Sequence, residues 1–192
     1  MGSSIRTFVA IEIAQGVRDR AARLIKELGA ATSNVRWVSA QNLHLTLKFL
    51  GDVPSREVPQ VIAAVGRAAA TIRPFELESA SAGAFPNPAR PRTIWLGARS
   101  GEPEIATLHA AVEDELAKLA FRKEQRRFQP HLTLGRVRQA GADMKQLAEL
   151  IVRHADFAAG TTIVDEVVVF SSQLGPQGPT HEPMGHLPLK GA

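Results

Sequence analysis

The sequence contains no cysteine and no tyrosine, and only 5% of its residues are aromatic. The absence of cysteine excludes disulfide scaffolds, thiolate metal sites, iron–sulfur clusters and cysteine nucleophiles. Stacking on a flat ligand can come only from the eight phenylalanines and two tryptophans or, more weakly, from histidine. Catalytic side chains are therefore expected among His, Ser, Thr, Lys and the carboxylates.

Long hydrophobic runs are also missing. Apolar stretches such as Val61 to Val65 and Val167 to Phe170 fall far short of the roughly 18 to 20 residues that a membrane span needs. Arg6 and Glu12 interrupt the apolar start of the chain, and no small-residue cleavage site follows, so this stretch does not resemble a secretory signal. We expect a cytoplasmic protein without membrane contact. A GxxxxGK[ST] phosphate loop is absent, which argues against P-loop nucleotide hydrolysis.

The composition fits a globular chain with a basic surface. The 192 residues are 44% hydrophobic, which predicts a single domain over residues 1–192. The formal charge is +4, and 17 arginines stand against 6 lysines. The planar guanidinium group suits phosphate recognition, although genomic base composition explains an arginine excess equally well.

Hydrophobic periodicity predicts a mixture of strands and helices that we class as α+β. Strands are expected over residues 5–13, 35–38, 44–50, 74–83, 93–98, 131–137, 162–170 and, near the tail, 186–189. Helices are expected over residues 17–28, 54–70, 103–119 and 144–154. Gly51 is expected to end its strand, and the proline-rich loop over residues 85–91 is expected to join a strand pair.

One tetrapeptide occurs twice. His44-Leu45-Thr46-Leu47 reappears as His-Leu-Thr-Leu over residues 131–134, 87 residues later, and each copy opens a predicted strand. A given tetrapeptide of this kind is expected on the order of once per 10⁵ positions. The repeat therefore indicates a duplicated supersecondary unit whose two strands meet across a cleft.

The repeated motif carries groups suited to acid–base chemistry. Strand alternation places His44 and Thr46 on one face and Leu45, Leu47 and Phe49 on the other. The second copy places His131 and Thr133 together in the same way. Imidazole titrates near neutral pH, so one ring can accept a proton while the other donates one. Two such strands facing one ligand provide what cleavage of a phosphodiester requires, with the hydroxyls donating hydrogen bonds to phosphate oxygens.

These motifs and their surroundings resemble the 2H phosphoesterases, and within them the RNA 2′,3′-cyclic phosphodiesterase family, also called 2′-5′ RNA ligases. Further residues that carry the resemblance are Arg6-Thr-Phe8-Val-Ala10-Ile, Trp37-Val, Asn42-Leu before the first motif, Lys-Phe49-Leu-Gly51 after it, Ile94-Trp95-Leu96-Gly97, Pro130 before the second motif, and the tail from Ser171 to Pro179.

The resemblance implies a bilobal fold of duplicated β/α units, with two mainly antiparallel sheets around a central basic cleft and two pseudo-symmetric lobes. It implies metal-independent hydrolysis of RNA 2′,3′-cyclic phosphate ends to 2′-phosphomonoesters, with reversible ATP-independent 2′-5′ ligation as a related reaction. His44 would be the proton donor and His131 the proton acceptor, while Thr46, Thr133 and Arg136 would bind the substrate. No cofactor is implied, the partner would be RNA or a nucleotide, and we expect a monomer.

Two features near the motifs depart from simple expectation. Strict alternation would put Arg136 on the face opposite His131, so its participation requires a bulge, which Gly135 makes plausible. Near the end, the family commonly has Gly-Pro-x-Tyr, whereas this chain has Gly178-Pro179-Thr180-His181. The role of that position is therefore open.

Other interpretations remain at this stage. The substrate could be a 2′-5′ oligonucleotide or a cyclic ADP-ribose phosphate, or the protein could bind RNA ends or nucleotides without turnover. The spacing from His181 to His186 is one residue too long for a helical HExxH zinc motif, so no metal site is expected there. His109 and His154 are expected to be structural. A basic run is formed by Arg122, Lys123, Arg126 and Arg127. Contacts with RNA and simple solvent exposure explain this run equally well.

Overall fold

The computed structural model describes residues 3–175 and 178–191, and within them the chain forms nine strands and four α-helices. The strands are β1 (Ser4–Glu12), β2 (Val35–Trp37), β3 (His44–Pro54), β4 (Phe75–Phe85), β5 (Thr93–Ser100), β6 (His131–Val137), β7 (Ala158–Val164), β8 (Glu166–Gly175) and β9 (Gly178–Pro188). The helices are α1 (Gln15–Gly29), α2 (Val58–Ala69), α3 (Glu102–Ala117) and α4 (Met144–Arg153), and a short 3₁₀ turn spans Ala40–Asn42.

The strands pair antiparallel in one sheet with the order β7-β4-β5-β6-β3-β1-β8-β9, and β2 adds to β6. The two motif strands, β3 and β6, are neighbours at the centre and pair through Leu45 and Leu132. The α+β class is therefore confirmed. The two sheets expected from the resemblance are joined into one, because this central pair connects a β3-β1-β8-β9 half to a β6-β5-β4-β7 half.

Each half of the sheet has its own apolar core on the same side as its helices. Leu45 and Leu47 of β3 are buried in a cluster with α2 and α3, and Leu132 and Leu134 of β6 are buried in a cluster with α1 and α4. Burying leucines on one face of a strand holds the alternate residues on the opposite face. The helices thus leave the other face of the central strands uncovered.

Some predicted boundaries were wrong. The strand expected over 162–170 is two strands that separate at Asp165, since β7 pairs with β4 and β8 pairs with β1 in the opposite half. β3 continues past Gly51 to Pro54, and Gly51 takes a φ of +72° at an irregularity in its pairing with β1. The tail strand extends over Gly178–Pro188 rather than 186–189. Pro176 and Gln177, in the predicted tail turn, lie outside the described residues.

No helix within residues 3–175 and 178–191 is both long enough and apolar enough to cross a bilayer.

Candidate active site

The two HLTL motifs meet at the centre of the sheet. Leu45 and Leu132 are directly paired in antiparallel register. Extending this register by one residue in each direction sets His44 across from Thr133 and Thr46 across from His131. The two leucines are buried, whereas the four polar residues are partly accessible. The fold therefore brings all four predicted motif residues onto one uncovered surface.

Both histidine rings are held by the same kind of hydrogen bond. His44 Nδ1 lies 2.8 Å from the main-chain oxygen of Asn42, and His131 Nδ1 lies 2.8 Å from that of Gln129. A carbonyl oxygen can only accept, so each Nδ1 carries the proton and donates it. In the neutral ring this leaves Nε2 as the unprotonated nitrogen that can accept a proton.

A bulge follows each motif at the same position. Leu47 is unpaired in the β1–β3 ladder, between Thr46 opposite Ala10 and Lys48 opposite Val9. Leu134 is unpaired in the β5–β6 ladder, between Thr133 opposite Trp95 and Gly135 opposite Ile94. An extra residue in one strand reverses the facing of everything after it. The fifth residue after each histidine therefore shares the histidine's face.

In the first motif this fifth residue is Phe49. Strict alternation predicted that Phe49 lies with the buried leucines, and that prediction was wrong. Its side chain is 65% exposed, and its ring centroid lies 6.0 Å from that of Phe8 on the His44 face.

In the second motif the fifth residue is Arg136. The bulge that its participation requires is present, and Arg136 pairs with Thr93 in the same row of β5 residues as the partners of Thr133 and His131. Its Nη1 donates to Thr93 Oγ1 at 3.3 Å. Gly135 allows this geometry because a Cβ there would lie 2.7 Å from atoms of both Trp37 and Val35.

Aromatic rings surround His44. The ring of Phe8 lies 4.8 Å away by centroid and is tilted by 31°, while His181 lies 5.3 Å away and is almost perpendicular at 88°. Phe8 also stacks on Phe170 at 5.2 Å. His44 therefore lies against an aromatic wall contributed by β1, β8 and β9.

His131 has a corresponding wall on the other half of the sheet. Phe85 meets the His131 ring edge to face, with centroids 5.1 Å apart at 90°. Trp95 lies 5.1 Å from Phe85 and packs over Gly83, where a Cβ would come within 2.4 Å of the indole. The two histidines thus have similar surroundings built from different strands.

Burial makes both imidazoles harder to protonate. It lowers the pKa of His44 from 6.5 to about 4; the Asn42 hydrogen bond opposes this shift, and the positive fields of His181 and Arg18 add to it. Burial is also the main cause that lowers the pKa of His131, with a further contribution from the Arg136 guanidinium. In the unliganded protein at neutral pH, His44 is therefore neutral.

The two threonine hydroxyls are available to a ligand. Within the described part of the chain, neither Thr46 nor Thr133 makes a side-chain hydrogen bond, and neither hydroxyl is among the buried unpaired polar atoms. Each can donate to an anion in the cleft.

The sequence predicted no role for two residues that shape the site. Asn42 supplies the carbonyl for His44 and also donates its side-chain amide to Pro179 O at 2.7 Å, which ties the start of β9 to the first motif. Arg18 of α1 donates to Ala40 O at 2.7 Å and so lies close to His44. Only Asn42 had a local signal, its place two residues before the motif histidine; the position of Arg18 depends on how α1 packs.

One group of side chains in the described residues has the geometry to hold a metal ion. Ligand atoms of Glu12, Glu166 and His186 lie within 4.8 Å of one another, and His186 Nδ1 is 2.8 Å from a Glu166 oxygen. Glu12 is the β1 partner of His44, so this group borders the motif surface. It combines residues from three strands, whereas the sequence drew attention only to the spacing between His181 and His186.

The remaining candidates lie in other surroundings. His109 stacks on Phe128 with centroids 4.0 Å apart, and His154 Nε2 is 2.8 Å from a Glu27 oxygen. The basic run lies in the irregular segment before β6, where Lys123 pairs with Asp114 and Arg122 gives its carbonyl to Lys48. A groove of about 680 Å³ between α2 and α3 is on the helix side and is lined largely by paired charges.

A central pair of antiparallel strands, each carrying a histidine and a threonine on the open face of the sheet, defines a two-histidine (2H) phosphoesterase. The chain belongs to the LigT like phosphoesterase family, whose pattern matches it twice, over residues 11–95 and 96–181. Each match contains one copy of the HLTL motif.

Similar proteins cover almost the whole chain. A protein of Methanothermobacter thermautotrophicus named RNA 2′,3′-cyclic phosphodiesterase is 36% identical over 94% of this chain and 96% of its own length. A protein of the same name from Archaeoglobus fulgidus is 32% identical over 93% and 97%. Among solved structures, a Thermus thermophilus protein superposes with a TM-score of 0.81, and Escherichia coli LigT complexed with 3′-AMP with a TM-score of 0.76. Both are 25% identical and cover 97% of this chain and 98% of their own.

Proposed function

We propose that this protein is an RNA 2′,3′-cyclic phosphodiesterase that hydrolyses cyclic phosphate ends to 2′-phosphomonoesters without a metal ion. The observation that carries the proposal is the central juxtaposition of two histidines and two threonines, each ring held through Nδ1. The names of the relatives from Methanothermobacter thermautotrophicus and Archaeoglobus fulgidus support the substrate class. The two halves of the sheet would act as one domain, since each contributes one motif.

The proposed reaction is an in-line displacement at phosphorus. His131 Nε2 takes a proton from water as the water oxygen bonds to phosphorus. The bond from phosphorus to O3′ breaks, and His44 Nε2 gives its proton to O3′. The product carries a 2′-phosphate and a free 3′-hydroxyl, and one proton has moved through each ring. Acid or base catalysis of this kind contributes about 10² to 10⁴ in rate for each group.

The phosphate would be held by the groups on the same surface. The Thr46 and Thr133 hydroxyls donate to the non-bridging oxygens, and Arg136 adds a positive charge on the His131 side. The bulge at Leu134 supports this role for Arg136, because it brings Arg136 to the same face of the strand as His131 and Thr133.

The exposed ring of Phe49 is suited to stacking on the nucleobase next to the cyclic phosphate. It is 65% exposed beside Phe8 on the motif face, and a solvent-facing aromatic ring offers a surface to every base. The structure of Escherichia coli LigT complexed with 3′-AMP supports a nucleotide as the kind of ligand.

The acid role of His44 requires the substrate. With a pKa of about 4, its ring is neutral in the free protein at neutral pH. A phosphodiester bound beside it carries a negative charge, which favours the imidazolium form. Substrate binding would therefore favour protonation of His44, which later donates that proton to O3′.

The same two histidines would support ligation. If the 5′-hydroxyl of a second RNA replaces water, its oxygen bonds to phosphorus as O3′ leaves, and the product is a 2′-5′ linkage. No ATP is consumed, because the cyclic phosphate supplies the bond that breaks.

The test is hydrolysis of a 2′,3′-cyclic mononucleotide by the wild type, His44→Ala and His131→Ala, with the product regioisomer identified by NMR or chromatography. We expect a 2′-phosphate from the wild type and a loss of kcat/KM of about 10² to 10⁴ in each variant. His154→Ala is the matched control, since that ring contacts Glu27 away from the motifs. A 3′-phosphate product, or an active His44→Ala or His131→Ala variant, would refute the mechanism.

Metal independence is tested in the same assay. EDTA should leave the rate unchanged, and so should Glu166→Gln. If EDTA abolishes turnover and Glu166→Gln weakens it, the Glu12, Glu166 and His186 group is where an ion acts, and the metal-free reaction is wrong.

A further inference from the structure

His181 is a third imidazole at the first motif, and the proposed reaction gives it no task. It lies on β9 opposite Ser172 of β8, and its ring centroid is 5.3 Å from that of His44. It also meets Phe8 edge to face at 4.9 Å. Three rings are therefore in mutual contact, and Phe8 and His181 adjoin each other where they contact His44.

The attachment of His181 to the motif is specific. Two residues before it, Pro179 O accepts the side-chain amide of Asn42, and the main-chain oxygen of the same Asn42 accepts His44 Nδ1–H. One residue thus anchors both the His44 ring and the strand that carries His181. A shift of β9 would change the contact between the two rings.

One polar atom of His181 has no hydrogen-bond partner in the part of the chain that the structure describes. Nδ1 is buried without a hydrogen bond among residues 3–175 and 178–191, and Trp95 Nε1 is the other such side-chain atom in that part of the chain. Buried unpaired polar atoms are rare in proteins, and each calls for a functional or packing reason. Because Nδ1 has no partner among these residues, what the His181 ring offers its neighbours is its shape and its charge.

We propose that His181 is a positioning residue for His44: the His181 ring, perpendicular to the His44 imidazole, fixes the plane of that imidazole so that Nε2 faces the cleft. The inference rests on the proposed catalytic role of His44. A single hydrogen bond through Nδ1 leaves rotation about the broad χ2 torsion of histidine possible, and the adjoining rings of Phe8 and His181 limit that rotation. Catalytic groups must be held within about 10–20° of the productive geometry.

The choice of an imidazole for this wall has an electrostatic consequence. Two imidazolium ions at this separation repel, and burial lowers the pKa of His181 as well as that of His44. The charged or titratable groups that face His44 are His181 from β9, Arg18 from α1 and, across the strand pair, Glu12 from β1. Phe8 and Phe170 contribute no charge. Replacing His181 by phenylalanine keeps the wall and removes one positive neighbour.

The experiment compares His181→Ala, which removes the wall, with His181→Phe, which retains a ring, on a 2′,3′-cyclic mononucleotide. We expect kcat to fall about tenfold to a hundredfold in His181→Ala with KM little changed, because misplacement of a catalytic group by about 1 Å costs up to 10². His181→Phe should recover most of kcat. His154→Ala is the control, and thermal unfolding of each variant verifies folding.

Proton NMR titration of His44 in the free protein gives a readout that does not depend on turnover. The pKa of His44 should rise by about half a unit or more in His181→Phe, since even at the dielectric constant of water the loss of a charge about 5 Å away has an effect of that size. An unchanged His44 titration together with an unchanged kcat in His181→Ala would overturn the proposal. A raised KM in both variants would also overturn it, because His181 would then bind substrate directly.

A double variant separates this inference from the proposed reaction. If His44 is the group through which His181 acts, adding His181→Ala to His44→Ala should cause no further loss of the residual rate. An active His44→Ala variant would refute the proposed mechanism itself. Full additivity of the two losses, with His44→Ala slowed to the expected residual rate, would refute only the positioning role.

Discussion

At the scale of single residues, the site consists of two imidazoles with nearly the same local chemistry. Each donates Nδ1–H to the carbonyl two residues earlier, and each meets a phenylalanine, Phe8 for His44 and Phe85 for His131. The differences between them arise from their neighbours, which are His181 and Arg18 on one side and Arg136 on the other. In the proposed reaction the division into acid and base follows the family resemblance, and the negative charge of the substrate would allow His44 to be protonated.

The lowered pKa values predict an acidic optimum for kcat/KM. Turnover needs one ring neutral and the other protonated, so the rate is highest between the two free-protein pKa values, whichever ring is the acid. Those values are about 4 for His44 and below 6.5 for His131. We expect a bell-shaped profile of kcat/KM with its maximum below pH 6.5, measured with a cyclic mononucleotide from about pH 3.5 to 9.

The profile of kcat should peak at higher pH than that of kcat/KM. Bound phosphodiester is anionic and raises the pKa of both rings, so the basic limb moves upward in the complex. If the profiles of kcat and kcat/KM coincide, substrate binding does not favour protonation of His44. A monotonic profile would contradict catalysis by a pair of histidines.

At the scale of elements, one pair of bulges decides which side chains join the site. Leu47 and Leu134 each add an unpaired residue three positions after a histidine, and Phe49 and Arg136 consequently share the histidine faces. The duplicated strands therefore differ in side-chain chemistry at this position, with an aromatic ring in one and a cation in the other. Because of the bulge at Leu47, the side chain of Lys48 is buried in the core beneath β3.

Lys48 makes a buried ion pair that links the first motif strand to the segment before the second. Its Nζ lies 2.6 Å from Glu113 of α3, and both side chains are 7% exposed. Lys48 also donates to Arg122 O, and Glu113 accepts from Glu124 N, so the pair holds the irregular segment that leads to β6. Glu113→Ala should lower the free energy of unfolding by about 3 to 5 kcal/mol, because it leaves a buried charge without its partner.

Urea denaturation measures this effect. The matched control is Asp114→Ala, which removes the neighbouring carboxylate of an exposed pair with Lys123 and should change stability little. Similar losses in the two variants would show that the buried pair has no special structural role.

At the scale of the whole molecule, the sheet topology brings the two motifs together and exposed arginines precede one of them in the chain. The sheet is antiparallel throughout, and its centre is the contact between two halves that each bring one motif. The net charge of +4 is accompanied by exposed arginines, including Arg126 and Arg127 in the segment before His131. Arg127 is four residues from that histidine, so its Cα lies within about 15 Å of the site.

This arrangement predicts that salt weakens longer substrates more than short ones. An oligonucleotide with a 2′,3′-cyclic end should show a steeper dependence of log KM on log salt than a cyclic mononucleotide. For the oligonucleotide, replacing Arg126 and Arg127 by Gln should reduce the slope by about 1.4, at about 0.7 for each lost phosphate contact with a single strand.

The mononucleotide slope should not respond to the double replacement. Arg56→Gln provides the control, because Arg56 is 87% exposed beside Glu57 at the start of α2. Equal slopes for the two substrates in the wild type would indicate that the protein holds only the terminal nucleotide.

Much of the architecture follows from local pattern. Alternation within HLTL is sufficient to predict that Leu45 and Leu132 are buried and that each histidine shares a face with its threonine, since burial of leucine on one side of a strand decides the other side. The repeat itself indicates two related units, and the helix positions follow from apolar spacing. These features depend on residues that are neighbours in the chain.

Tertiary structure decided the rest. The facing of Phe49 and Arg136 depends on bulges, whose positions are defined only by pairing with β1 and β5. The break at Asp165 arises because consecutive residues pair with strands in opposite halves of the sheet. The low pKa of His44 and the contact with His181 depend on desolvation by residues that are distant in the chain, Phe8 and His181 among them. Such long-range contacts carry no periodic signal, because their free energy is gained only when the chain has folded.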